Sequence, residues 1–157
     1  MDEIAFILNG EQKSYAGSAT DRLLDVLRDV YRCTSVKCGC KEGECGACAV
    51  LIDGKLVNSC CVAMGAVQNH EITSLEGFRD SKRFACLSDA YASLSAVQCG
   101  FCTPGMVMAS EALLRANPHP SDEQIRDGLS GNLCRCTGYN AIVNAVSTAA
   151  EEGSGLW

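Results

Sequence analysis

Eight of the twelve cysteines in this chain fall into two sets of four, a concentration of thiols that points to metal chemistry. The first set lies in CGCKEGECGACAVLIDGKLVNSC, where Cys40, Cys45, Cys48 and Cys60 are spaced C-x4-C-x2-C-x11-C. The second comprises Cys99 and Cys102 in QCGFC, then Cys134 and Cys136 in LCRC. Structural zinc also takes four cysteines, but usually from paired C-x2-C knuckles, which the x4 gap and the C-x-C pair fit poorly. A disulfide framework needs an oxidising compartment, and MDEIAFILNG shows neither the basic stretch nor the long apolar stretch of a secretory signal. Covalent haem attachment needs C-x-x-C-H, which does not occur. The first spacing matches a loop whose four thiolates hold a [2Fe–2S] cluster. Gly39, Gly43 and Gly46 adjoin or separate its cysteines. Glycine permits the positive φ that wraps a backbone around a compact core, with N–H groups turned toward a negative cluster. Two sets of four predict two clusters, and therefore an electron wire.

The elements that must position these thiols change character near residues 74–84. Before that point Ile4 to Leu8 is a short apolar run, Asn9-Gly10 is a strong hairpin turn, and Gln12 to Tyr15 is the returning strand. Leu23, Leu24, Val26, Leu27 and Val30 recur at a helical period, predicting a helix from Asp21 to about Tyr31 capped by Thr20. Ala49 to Ile52, the Asp53-Gly54 turn and Lys55 to Val57 form a second hairpin that leaves Cys60 just past its end. His70 to Thr73 is a last strand. After the boundary every periodic segment is helical. The first helix spans about Ser81 to Leu94. The second has Thr103 as cap, Pro104 at its first position, and a stripe of Met106, Ser110, Leu113 and Leu114. Ser121 with Gln124 forms a capping box opening a third helix that ends near Gly131, and the fourth runs from about Tyr139 to Glu151. Cys99 and Cys102 then precede the second helix, while Cys134 and Cys136 lie between the third and fourth. A four-helix bundle brings both junctions to one end.

Two hairpins around one helix, with this cysteine loop, resemble the β-grasp fold of plant-type ferredoxins. The blocks SVKCGCKEGECGACAVLIDG, QCGFCTPGM and GNLCRCTGY resemble those of the iron–sulfur subunits of the molybdenum hydroxylase (xanthine dehydrogenase) family, in order and over nearly the whole chain. The resemblance implies an α+β chain: a β-grasp ferredoxin-like domain over 1–76, a linker over 77–83, and an all-α four-helix [2Fe–2S] domain over 84–157. It implies two [2Fe–2S] clusters, one on Cys40, Cys45, Cys48 and Cys60 and the other on Cys99, Cys102, Cys134 and Cys136. It also implies a large partner subunit carrying molybdopterin and a medium subunit carrying FAD, in a heterotrimer that dimerises. Electrons from substrate hydroxylation then pass through the helical-domain cluster and the β-grasp cluster to the flavin. Gln98 matches a glutamine that contacts the pterin, although a residue satisfying local backbone groups at a helix end would look the same. Cys136 matches the cysteine whose neighbourhood the pterin reaches. A purine is the expected substrate, with nicotinate and other N-heterocycles, aldehydes, carbon monoxide and aromatic thioesters open.

Other readings narrow the choice. A free-standing ferredoxin shuttling electrons between enzymes is the alternative, but a shuttle needs only the β-grasp half. Nineteen acids against thirteen bases give a net charge of −6, which disfavours a nucleic-acid partner. No apolar run approaches the roughly 18–20 residues of a membrane span, so a cytoplasmic location is expected. His70 and His119 make no catalytic pair, and His119 sits in the turn-like NPHPS. No nucleophile or nucleotide motif is present, so the chain itself supplies no catalytic residue. Gly100, Gly105 and Gly138 read as turn or cap glycines. Arg135 either offsets cluster charge or meets the large subunit. Cys33, Cys38, Cys61 and Cys86 are read as small buried hydrophobes, with an alternative ligand or redox-sensitive thiol as the other possibility for Cys38 and Cys61.

Overall fold

The computed structural model describes residues 3–157; Met1 and Asp2, which open the domain expected over 1–76, lie outside it. In β1 (Ile4–Leu8) Ile4, Phe6 and Leu8 alternate into the core, and Asn9 and Gly10, both at positive φ, turn the chain into β2 (Glu11–Tyr15). The helix α1 (Leu23–Asp29) buries Leu23, Leu24, Val26 and Leu27 against that face. After the cysteine loop come β3 (Ala49–Ile52) and β4 (Lys55–Asn58), turned by Asp53 and Gly54. Two short 3-10 turns lead to β5 (Glu71–Thr73). The sheet order is β2-β1-β5-β3-β4, with β1 and β5 parallel and the other neighbours antiparallel.

The helical half begins with a single turn, α2 (Leu75–Phe78), and continues through α3 (Lys82–Ser93), α4 (Thr103–Ala116), α5 (Asp122–Gly128) and α6 (Asn140–Glu152). The last four pack in a ring, α3 on α4, α4 on α5, α5 on α6 and α6 on α3. Within residues 77–83, Phe78 is buried and meets Phe84 edge to face, their ring centroids 5.8 Å apart. The strand β3 is buried on both faces. Cys48, just before it, and Val50 join the sheet-and-helix core around Phe6 and Leu27, whereas Ala49 and Leu51 join the helical core around Met106 and Val146.

Three local expectations need correction. Thr20 does not cap α1: its hydroxyl pairs with that of Ser18, and the helix starts after Arg22, which makes no side-chain cap bond. The N–H of Leu23 is satisfied instead by the carbonyl of Val62, just past Cys60. Thr103 does not cap α4 either. It is the first helical residue, Cys102 is the cap, and the Cys102 carbonyl accepts from Met106 at 3.0 Å. The third helix stops at Gly128 rather than near Gly131, because the chain turns through Ser130 and Asn132 to bring Leu133 against Cys45. The Ser121 and Gln124 capping box is present at its start, and Tyr139, left-handed at φ +71, directly precedes α6.

Candidate iron–sulfur centres

The first candidate centre is a loop wound from α1 to β3. Gly43 and Gly46 have positive φ, as expected, but Gly39 does not. Its requirement is room: a Cβ there would lie 2.6 Å from the sulfur of Cys45. The winding turns main-chain donors inward. The N–H of Glu42 reaches Cys40 Sγ at 3.4 Å, and this bond, with those from Cys45 and Glu44, lowers the Cys40 thiol to about 6. Cys40 and Cys45 adjoin, as do Cys48 and Cys60. Burial pushes Cys48 up to about 11. Two bonds to main-chain carbonyls tie the loop to the strand that returns toward Cys60: Asn58 Nδ2 donates to Gly43 at 2.7 Å, and the Ser59 hydroxyl donates to Cys48 at 2.8 Å.

The second candidate centre lies at one end of the helical ring. Cys99 and Cys136 place their sulfurs 3.7 Å apart, and Cys102 adjoins Cys134. Together with Phe101, Leu133, Arg135 and Tyr139 they line one pocket of about 410 Å³. Burial pushes the Cys102 thiol up to about 12. Burial also raises Cys134, but the Thr137 hydroxyl at 3.1 Å and the Thr137 N–H at 3.4 Å outweigh it and bring that thiol down to about 7. Tyr139 accepts from the N–H of Cys134 at 2.9 Å, which fixes the loop to the start of α6.

Among the described residues the thiols do not converge in threes on one point, as a single ion would require. They meet two by two. This arrangement suits a binuclear cluster, in which each iron takes two thiolates beside its bridging sulfides. The hydrogen bonds onto Cys40 and Cys134 favour the thiolate form that a metal demands.

The other sequence-predicted residues distribute unevenly. Gln98 is exposed beyond the end of α3, next to Cys99. Arg135 lies in the exposed rim of the second pocket. His119 is exposed, and His70 pairs with Asp53 at the turn between β3 and β4. The reading of the extra cysteines as buried hydrophobes holds for Cys33 and in part for Cys86, but Cys38 and Cys61 are exposed, with Cys61 Sγ 3.7 Å from Cys60 Sγ. Sequence reasoning missed Thr137 and Tyr139 as supports for Cys134, although both stand within GNLCRCTGY. It also missed the exposed apolar rim of Phe101 and Leu133 around the second centre.

Fold and centres together define an iron–sulfur electron carrier built from a β-grasp half and a helical half. Residues 6–91 match a family model described as a 2Fe-2S iron-sulfur cluster binding domain, and residues 74–147 match one described as a [2Fe-2S] binding domain. The nicotinate dehydrogenase small FeS subunit of Eubacterium barkeri is 48% identical over 144 residues, covering 92% of each chain. The xanthine dehydrogenase iron-sulfur-binding subunit of Escherichia coli O157:H7 is 50% identical over 115 residues, covering 71% of this chain and 72% of that one. The crystal structure of the aldehyde oxidoreductase from Desulfovibrio desulfuricans ATCC 27774 superposes with a TM-score of 0.92 at 43% identity, over 99% of this chain and 17% of that longer one. The chain belongs to the iron–sulfur subunits of the molybdenum hydroxylase family. It is the electron-transfer subunit of a molybdenum-dependent oxidoreductase, it binds [2Fe–2S] clusters, and it works with larger partner subunits. No helix among the described residues is long and apolar enough to cross a membrane.

Proposed function

We propose that this chain carries electrons from a molybdopterin centre on a large subunit to FAD on a medium subunit, during hydroxylation of a purine or another N-heterocycle. Electrons enter at the helical centre, held by Cys99, Cys102, Cys134 and Cys136, and leave through the β-grasp centre, held by Cys40, Cys45, Cys48 and Cys60. The observation that carries this order is the difference in exposure. Cys99 and Cys136 are exposed in a pocket with an apolar rim of Phe101 and Leu133, whereas Cys48 and Cys60 are buried. An apolar rim around exposed thiols suits a permanent partner, not a transient collision. Gln98, exposed beside Cys99, offers an amide with both donors and acceptors to the pterin, and Cys136 stands on the same rim. The two cluster-holding halves are taken to meet within residues 77–83, and the assembly to be a cytoplasmic heterotrimer that dimerises.

Each bound cluster supplies a one-electron carrier, and the chain's residues determine how readily it accepts. The inward N–H groups on Cys40 and the Thr137 hydroxyl on Cys134 stabilise negative charge on sulfur, while the carbonyl and hydroxyl bonds around Asn58 and Ser59 hold the sulfur geometry.

The order is tested by two serine variants in the assembled complex, because serine is a harder and poorer iron ligand. Cys136→Ser should cut substrate turnover with every electron acceptor. Cys45→Ser should leave substrate reduction of the helical centre intact in single-turnover spectroscopy but slow transfer to the flavin. If Cys45→Ser abolishes the first step and Cys136→Ser spares it, with both proteins intact, the order is reversed.

A further inference from the structure

Asn132 is a buried amide, 5% exposed, at the place where the two cysteine loops touch. Its Nδ2 donates to the carbonyl of Gly46 at 3.1 Å. The next residue, Leu133, donates its N–H to the carbonyl of Cys45 at 2.9 Å. Among the described residues this is the one backbone hydrogen bond that joins the two cysteine loops. The junction is cleared of side chains from both sides. A Cβ on Gly46, which sits at φ +68, would lie 2.5 Å from Asn132 Nδ2 and from the Gly131 carbonyl oxygen. A Cβ on Gly105, at the start of α4, would lie 2.4 Å from the Gly46 carbonyl oxygen. Backbone thus meets backbone with only the Asn132 amide between. The bond it fixes starts at one candidate ligand, Cys45, and ends one residue before another, Cys134.

We propose that Asn132 is a positioning residue for electron transfer between the two clusters, and that the Leu133-to-Cys45 hydrogen bond it holds is the route. The route runs from Sγ, Cβ and Cα of Cys134 through its nitrogen to the carbonyl carbon, Cα and nitrogen of Leu133. It crosses the hydrogen bond to the Cys45 carbonyl oxygen and continues through the carbonyl carbon, Cα and Cβ of Cys45 to its Sγ. One electron leaves the reduced helical cluster and reduces the oxidised β-grasp cluster, with no bond made or broken. Asn132 contributes by direction and distance: bonded to the neighbouring carbonyl of Gly46, it keeps the Cys45 peptide from rotating away from the Leu133 N–H. This inference rests on Cys45 and Cys134 being cluster ligands.

The test uses the assembled complex and reads three quantities: iron content; the exchange and dipolar parts of the magnetic coupling between the two clusters after full reduction with dithionite; and the rate of electron equilibration between them by freeze-quench spectroscopy, after the oxidised complex is mixed with a single electron equivalent of dithionite. Asn132→Ala removes the clamp. Leu133→Pro removes the N–H donor, with Leu133→Ala, which keeps the donor, as its comparison. Asn132→Ala and Leu133→Pro should keep both clusters and the dipolar coupling, weaken the exchange coupling, and slow equilibration several-fold, whereas Leu133→Ala should leave all three unchanged. If Leu133→Pro does not fold, Asn132→Ala decides alone. An Asn132→Ala complex with full iron, unchanged exchange coupling and an unchanged rate overturns the proposal. Two clusters missing from the unmodified complex would overturn the ligand assignment first, and the route with it.

Discussion

Replacing Thr137 by valine should lower the reduction potential of the helical cluster. The Thr137 hydroxyl donates to Cys134 Sγ at 3.1 Å, and its N–H reaches the same sulfur at 3.4 Å. Reduction puts more negative charge on the ligand sulfurs, so a donor aimed at one of them stabilises the reduced form more than the oxidised form and raises the potential. Valine keeps the β-branched shape and the N–H contact and removes only the hydroxyl. A net hydrogen bond contributes about 0.5–1.5 kcal/mol. At roughly 59 mV and 1.4 kcal/mol per tenfold change for a one-electron couple, that range corresponds to a drop of about 20–60 mV. The assay is a redox titration of the assembled complex in which the two cluster signals are followed separately by electron paramagnetic resonance. Thr137→Ser, which restores a donor, should recover most of the drop. The β-grasp cluster, whose Cys40 is served by main-chain N–H groups, should not move. An unchanged helical potential in Thr137→Val, or a shift confined to the other cluster, would refute the reasoning.

Two further outcomes follow from side chains away from the clusters. Burial raises the Glu76 carboxyl, but the Ser35 hydroxyl and N–H and the Ser74 hydroxyl win and hold it below its ordinary value. A depressed carboxyl stabilises the fold above its unfolded pKa and loses that contribution as pH falls. Glu76→Gln should therefore cost roughly 1–2 kcal/mol in urea unfolding at pH 7, and the gap should shrink below about pH 4.3; a gap constant with pH would refute the link. Trp157 donates its indole N–H to Glu111 Oε2 at 2.7 Å, and the Glu111 side chain is only 1% exposed beside Arg83 and Arg115. Trp157→Phe leaves that carboxylate oxygen short of a donor, and at a matched scan rate the melting temperature should fall by about 2–8 °C, from a loss of roughly 1–2 kcal/mol. An unchanged melting curve would show that solvent replaces the indole.

The cysteine spacings were the most legible feature, because a cluster imposes thiols at set intervals and glycines beside them. The strands were legible too: Asn9-Gly10 and Asp53-Gly54 favour a left-handed turn, and the run before each of them is wholly apolar. Helix ends were less legible. Thr20 and Thr103 have the right chemistry for caps, but distant backbone, the Val62 carbonyl, serves the start of α1, and the neighbouring Cys102 takes the cap position of α4. The exposure of Cys38 and Cys61 could not be read locally, because it depends on which way a loop of tight turns faces. Asn132 carried no periodic signal, since its partner, Gly46, is far away in sequence and meets it only after both halves have packed.

The alternation of β3 between two cores has an evolutionary consequence. A domain that can be exchanged by recombination needs a border at which few side chains belong to both parts. Here Val50 serves one core and its neighbours Ala49 and Leu51 serve the other, so no cut in the sequence separates the halves cleanly. A graft that takes the β-grasp half from one relative and the helical half from another would import a strand already shaped for the helices it left behind. The two halves are therefore expected to be inherited as one block, even where that block is joined to a much longer polypeptide.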